Sequence, residues 1–514
     1  MRKAILELLK SNIKSREDLA LIKRKIAKKY KLSILLNSDI LKEYRRLITK
    51  GEIKINLALE KILRKRSIRT MSGIAPVAVL TKPYPCPGNC AYCPSEKNVP
   101  ASYLSNEPAV MRAIRCNYNP YKQVQFRLRA LEANGHEPTK IELIVIGGTW
   151  SYLPDNYKYK YIIECFRACN NYGKKITKKN KTGNLKKILL TEQKKNEKAK
   201  YKIIGLTLET RPDYIQKEEL KQMRELGCTR VEIGVQAIDD KILKLNKRGH
   251  GVEAITKATK LLKNFGFKVT YHIMPGLPGA TAKKDISMFK QLFTDERFQP
   301  DQIKFYPTVV TKGSLLYRWW KAGKYKPYSD KVLQDLIIQC KKIIPTYVRV
   351  IRLIRDIPGE SIIAGNKITN LRQVLQNQGV KCKCIRCREA RDKKFKLTDL
   401  QLTTKKYKAS GGKEYFISYE TKDRKTLCGF CRLRLENEQA IIRELHVYGE
   451  LVSMGGKTKV QHAGLGKKLM IEAEKITKKN KYKEITVISG VGVRNYYRQL
   501  GYKLKNTYMV KELT

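Results

Sequence analysis

The sequence predicts a two-part α/β protein. A partial (β/α)6 TIM-like barrel is fused to a smaller α+β domain, and a basic helical arm precedes both. The first reason is periodicity. Strand-like apolar runs at 77–80, 141–146, 203–208, 231–235, 269–274 and 303–306 alternate with helix-like segments near 120–134, 157–169, 215–226, 252–265 and 283–293. Such repetition builds a parallel barrel or part of one. The second reason is a change of texture after Cys387. A polar stretch, KKFKLTDLQLTTKKYKASGGKE, gives way to strand-like runs at 415–419, 429–435 and 440–447, a helix after Gly466, and a strand at 484–488. The third reason is the N-terminus. Residues 1–70 hold 21 Lys+Arg against 7 Asp+Glu, with Ile5, Leu8, Leu9, Leu19, Ile22 and Ile26 near helical spacing. The domains expected are 1–70 (arm), 71–375 (barrel), 376–394 (cysteine-rich junction) and 395–514 (α+β domain). The segment 171–200 carries eleven lysines and two glutamates with few apolar anchors, and it reads as a mobile insertion.

Charge narrows the partners. The chain has 514 residues and a formal net charge of +60, while 42% of its residues are hydrophobic. That apolar content excludes a disordered polycation, and the charge calls for a polyanion, nucleic acid first. No run approaches the ~18 apolar residues of a membrane span. The first residues, MRKAILELLKSNIK, have no apolar signal core. The expectation is a cytoplasmic protein with no membrane partner.

The thirteen cysteines argue against a disulfide framework and for metal chemistry. Cys116, Cys165, Cys169, Cys228 and Cys340 stand apart and read as small buried hydrophobes. Cys428 and Cys431 lie three apart on an expected strand, so they face opposite sides. Cys86, Cys90 and Cys93 follow the first strand as C-x3-C-x2-C. Three thiolates can hold a [4Fe–4S] cluster and leave one iron open to S-adenosylmethionine. A zinc knuckle using Cys116 is the competing reading, but Cys116 has no partner cysteine nearby. Gly147 and Gly148, just past a strand, allow close backbone approach to a ligand.

A second site stands near the C-terminus. Gln461-His462-Ala463-Gly464-Leu465-Gly466 precedes a helical run, a pattern that turns backbone N–H groups toward an anion at a helix N-terminus. It is similar to the pyrophosphate cradle for acetyl-CoA in GCN5-related acetyltransferases. Tyr496 and Tyr497 follow in GVRNYY, where a hydroxyl can reach a thioester.

The segments TKPYPCPGNCAYCP, EPAVMRAIRCNYNPY, IVIGGTW, LETRPD, YHIMPGLPG, CKCIRCREA, RELHVYG, QHAGLG and ISGVGVRNYYRQLGY, in this order over about residues 70–514, closely resemble the Elongator protein 3 family in its archaeal stand-alone form. The resemblance implies a radical S-adenosylmethionine barrel fused to a GNAT-like domain. It implies a tRNA uridine-34 acetyltransferase that builds the carboxymethyl-type group at C5 of the wobble base in the anticodon stem-loop. It further implies that Cys86, Cys90 and Cys93 hold the cluster. Lys140, Glu444, Leu445, His446, Val447, Leu465, Gly466, Lys467 and Tyr497 would contact acetyl-CoA, with Gly464 in the cradle. Cys382, Cys384 and Cys387 would hold a structural Zn2+, whose fourth ligand the sequence does not supply. An electron donor is required. Eukaryotic members space the cluster cysteines more widely and lack part of the CKCIRC set. Two further readings stand beside this one, a protein lysine acetyltransferase and a non-catalytic tRNA-binding scaffold.

Overall fold

The protein is described from a computed structural model covering residues 1–33, 35–64, 73–174, 183–390, 397–448 and 464–513. The cradle residues Gln461, His462 and Ala463 lie outside the described residues, as do parts of the arm, the 171–200 segment and the polar stretch.

The barrel strands follow the expected runs. β1 (Ala75–Leu80), β2 (Lys140–Ile146), β3 (Lys202–Thr210), β4 (Arg230–Gln236), β5 (Lys268–Ile273) and β6 (Gln302–Phe305) pair in parallel in sequence order. β2 shows why: Ile141, Leu143 and Val145 are buried at every second position, the period of a pleated strand. A short ribbon of β7 (Val310–Thr311) and β9 (Ile362–Ala364) lies apart from this sheet. The six expected strands become seven, because β8 (Arg349–Arg352) extends the sheet beside β6. Its sequence, RVIR, has too few apolar residues to stand out.

The second sheet runs β10 (Leu400–Ala409), β11 (Gly412–Thr421), β12 (Leu427–Glu436), β13 (Gln439–Val447), β14 (Glu484–Val487), β16 (Tyr508–Glu512) and β15 (Lys503–Lys505). β10 occupies part of the polar stretch. It is an edge strand with mostly exposed side chains, so its pattern lacks an apolar alternation. Cys428 and Cys431 are buried on opposite faces of β12, one in each of two hydrophobic clusters. The five isolated cysteines are all buried.

The arm is a packed unit rather than a loose extension. Helices Arg2–Lys10, Arg16–Lys29, Asn37–Thr49 and Leu57–Leu63 share a core that includes Ile5, Leu8, Leu19, Ile26 and Tyr44. The expected mobile insertion also differs: Leu185–Lys198 is a helix. Its buried face is partly polar, and polar groups satisfy it. Asn196 donates to Asn170 Oδ1 at 2.8 Å and accepts from the Ile203 N–H at 2.7 Å. A reading keyed to apolar spacing passes over such a face.

The same helix helps join the two domains. Glu197 accepts from Arg494 at 3.1 Å and Arg498 at 2.7 Å. A second junction centres on Asp301, just before β6. Arg443 of β13 donates to Asp301 Oδ2 at 2.9 Å and to the Phe267 carbonyl at 2.7 Å. Arg432 and Lys263 stand 3.6 and 3.7 Å from Asp301 Oδ1, and Glu414 completes the cluster. All five side chains are essentially buried. Phe267, Asp301 and Ile204 lie toward the N-terminal ends of their strands, so the smaller domain caps the barrel opposite its cysteine loop.

Two outcomes follow. A Cβ on Gly490 would stand 2.0 Å from the Ile204 carbonyl oxygen, whereas Gly359 opens on free space. Gly490→Ala should cost about 1–3 kcal/mol by denaturant midpoint, while Gly359→Ala should be near neutral. Burial, aided by Arg443, lowers the Lys263 ammonium to about 8. The unfolded chain therefore binds this proton more tightly, and stability should rise as pH climbs from about 8 to the ordinary lysine value near ~10.4. Lys263→Met should remove that rise from unfolding measured across the window.

Candidate functional site

Both expected sites open on one cavity of about 1950 Å³ that runs through the barrel. At the C-terminal end of the strands, the loop after β1 carries the cysteines. Cys86 is exposed, while Cys90 and Cys93 are partly buried. Arg248 and Arg211 place guanidinium nitrogens 3.3 and 3.9 Å from Cys90 Sγ. Burial pushes the Cys93 thiol up to about 12. Thiolates here therefore need a cation, and the two arginines offset the negative charge of a thiolate-ligated cluster. The Tyr92 hydroxyl is buried at the same loop, beside Cys90. The donor set fits a three-thiolate iron–sulfur cluster. Gly147 and Gly148 take φ values of 122° and 59°, and a Cβ on Gly147 would stand 2.4 Å from Thr81 Oγ1. Only glycine lets this turn pass so close to β1.

The middle of the cavity is a belt of charge. Glu209 pairs with Glu232 in strand register, and His272 pairs with Lys304. Lys304 reaches Glu209 at 3.2 Å and also contacts Glu232, while His272 Nε2 lies 2.7 Å from Glu232. Tyr103 donates to Glu209 Oε2 at 3.0 Å. Burial raises the Glu232 carboxyl, but Lys304 and then His272 outweigh it and hold it well below the ordinary range. The belt is thus internally paired. Glu209, Glu232 and His272 bring ligand atoms within 4.8 Å of one another. The Lys304 ammonium already supplies the cation that such a set would attract.

At the opposite end, Lys140 opens β2, and burial together with Lys202 lowers its pKa. Across from it, β13 and β14 pair through only two residues, Ile441↔Thr486 and Ile442↔Val487. The β13 edge at Glu444, Leu445, His446 and Val447 therefore opens into the cavity. Gly464, at φ 69°, caps helix Leu465–Lys479, and Leu465, Gly466 and Lys467 form its first turn. A Cβ on Gly466 would meet the Tyr496 hydroxyl at 2.7 Å. Free N–H groups, the positive end of the helix dipole and Lys467 make an anion site. The open strand edge beside it suits an extended amide chain. This donor set fits coenzyme A. Burial brings His446 down to about 4, so its ring is neutral at pH 7, and its Nε2 is buried without a partner. Burial raises Glu444, but Lys268 and Arg432 outweigh it and bring it to about 2. Tyr497 is buried and Tyr496 about one-third exposed.

Cys382, Cys384 and Cys387 form a separate group, with sulfur atoms within 4.8 Å of one another. Hydrogen bonds from Cys382 and Cys387 hold the Cys384 thiol well below its ordinary range. No fourth ligand joins them among the described residues.

Sequence reasoning missed the belt, although LETRPD, EIGVQ, YHIMPG and KFYPT carry it at strand ends. A charged residue in an otherwise apolar strand was the available signal.

Comparison with known proteins agrees with this layout. Residues 84–292 match the radical SAM superfamily, 300–379 the radical SAM C-terminal domain and 385–502 the acetyltransferase (GNAT) family. The tRNA uridine(34) acetyltransferase of Methanocaldococcus infernus is 43% identical over 506 residues, covering 93% of this chain and 91% of that one. Human Elongator complex protein 3 is 38% identical over 533 residues, covering 96% and 93%. The solved structure of the archaeal Methanocaldococcus infernus Elp3 with an N-terminal deletion superposes with a TM-score of 0.74 at 38% identity, covering 86% of this chain and 99% of that one.

Gly464 has open space around it, so Gly464→Ala is opposed only by its left-handed φ. That strain is about 1–2 kcal/mol, and coenzyme A affinity measured by calorimetry should fall on the order of tenfold.

Proposed function

The chain belongs to the family of tRNA uridine(34) acetyltransferases and Elongator complex protein 3, and from that premise we propose that it modifies the wobble uridine of tRNA with the acetyl group of acetyl-CoA. It is an acyltransferase with a radical S-adenosylmethionine domain and a GNAT domain. The observation that carries the reading is the single cavity. It is lined at one end by Cys86, Cys90 and Cys93 and at the other by Glu444, His446 and Gly466. A protein lysine acetyltransferase using its C-terminal domain by itself has no need of that connection.

Each part has a role in this reading. Cys86, Cys90 and Cys93 hold the [4Fe–4S] cluster, with Arg211 and Arg248 balancing its charge. When bound, the cluster would supply one-electron reducing chemistry toward S-adenosylmethionine. Gly147 and Gly148 let the strand-end backbone approach S-adenosylmethionine. The first turn of helix Leu465–Lys479 binds the pyrophosphate of acetyl-CoA, and the β13 edge aligns its amide chain. Lys140 steadies the ligand from the barrel side, and Tyr496 and Tyr497 stand over the thioester. The barrel wall and the bound substrates keep bulk water from reactive carbon. The wobble base leaves the anticodon stack to reach the lumen, and the +60 charge holds the tRNA backbone. Cys382, Cys384 and Cys387 bind a structural Zn2+ at the junction. The protein acts in the cytoplasm, and an external reductant feeds the cluster.

The decisive assay is anaerobic reconstitution with iron, sulfide, S-adenosylmethionine, acetyl-CoA and bulk tRNA, followed by nucleoside mass analysis. Carboxymethyl-type uridine is expected, and unmodified uridine 34 would refute the reading. Cys90→Ser should abolish 5′-deoxyadenosine formation. Acetyl-CoA deuterated at the methyl should transfer deuterium into 5′-deoxyadenosine. Metal analysis of the isolated chain should find one zinc that Cys384→Ser removes.

A further inference from the structure

We propose that the outer face over Cys86 is the docking surface for a small acidic one-electron carrier protein. The inference rests on reading Cys86, Cys90 and Cys93 as cluster ligands. Of those three, Cys86 is the exposed one. Arg211 and Arg248 flank Cys90, and Tyr92 closes over the loop from the inner side. A carrier therefore comes nearest to the metal at Cys86.

Three tyrosines surround this point, each from the loop after a different barrel strand. Tyr84 and Tyr152 have ring centroids 6.0 Å apart, and Tyr152 and Tyr214 5.7 Å apart, both edge-on. Tyr84 and Tyr152 are 37% and 42% exposed, a large apolar area to leave in water. None of the three lines the substrate cavity, although Cys86, Thr149 and Arg211 beside them do. The tyrosine face thus lies on the outer side of Cys86, away from the substrates. A cavity holding S-adenosylmethionine, acetyl-CoA and a nucleobase leaves the electron no inner route.

The charge around the face is complementary to an acidic partner. Lys82, Lys244 and Lys247 are exposed. Lys247 adjoins Arg248, whose carbonyl accepts from Arg211. Of the nearby carboxylates, Asp213 pairs with Arg211 at 2.8 Å and Asp155 with Lys158 at 3.4 Å, while Asp240 accepts from the Val252 N–H and keeps its charge. A small apolar centre ringed by cations suits a brief redox encounter, in which charge steers association and little area is buried. The step is one electron: the carrier is oxidised by one, the cluster is reduced by one, and no proton or bond moves.

The test uses flavodoxin as the acidic probe. Flavin anisotropy measures its binding to the cluster-free chain, and stopped-flow absorbance measures its reduction of the reconstituted cluster. The double variant Lys82→Glu/Lys247→Glu should weaken binding and slow reduction by roughly tenfold at low salt. Tyr152→Ala should weaken binding with little change in salt dependence. Reduction by dithionite, coenzyme A affinity and the melting temperature should match the parent, separating docking from damage. Unchanged flavodoxin binding and reduction in the folded double variant would overturn the proposal. So would a loss of tRNA affinity with flavodoxin reduction intact, which would assign the face to RNA. A parent cluster that dithionite cannot reduce would refute the cluster reading itself.

Discussion

The architecture depends on one buried carboxylate. Asp301 ends the chain's approach to β6, accepts from the Val269 N–H at 2.9 Å, and receives Arg443 from the other domain. Burying such a group is costly unless every charge is met. Arg443 and Arg432 from one domain and Lys263 from the other meet its charge and, through Arg443 and Lys263, that of the neighbouring Glu414, so neither domain closes this cluster by itself. The cost of separation holds the acetyl-CoA domain against the N-terminal end of the barrel.

That placement decides what the barrel can do. Chemistry in parallel barrels gathers at the C-terminal ends of strands, and the cysteine loop obeys the rule. The opposite end is ordinarily packed shut. Here β13 and the helix beginning at Leu465 sit there, and the lumen stays open because it is lined by paired charges rather than by interdigitated apolar side chains. Glu209, Glu232, His272 and Lys304 pair with one another across the lumen. The cavity is therefore continuous from the cysteine loop to the β13 edge.

Much of this was legible in the sequence, and the missing parts share a physical character. The six strand runs, the C-x3-C-x2-C loop and the glycine turn before Leu465 are local patterns, each bound to one element. The strand β8, the helix Leu185–Lys198 and the edge strand β10 escaped because polar or charged side chains cover or satisfy them. Asn196 is buried and fully hydrogen-bonded, a state that composition reads as solvated. The arm is helical, as its spacing predicts, yet its packing around Tyr44 and Leu41 appears only when four short helices are set together.

The sequence by itself determined the chemistry available: thiolates at metal-ligand spacing, glycines where backbone must approach an anion, and a charge that calls for a polyanion. These are short-range properties, set by residue type and spacing within a few positions. Only the tertiary structure decided that the two chemistries share one cavity and that Cys86 is exposed at its rim while Cys90 faces two arginines. It also decided that the lumen between the sites is charged. Those facts come from side chains brought together across hundreds of residues by strand register and domain docking, and no local pattern encodes them.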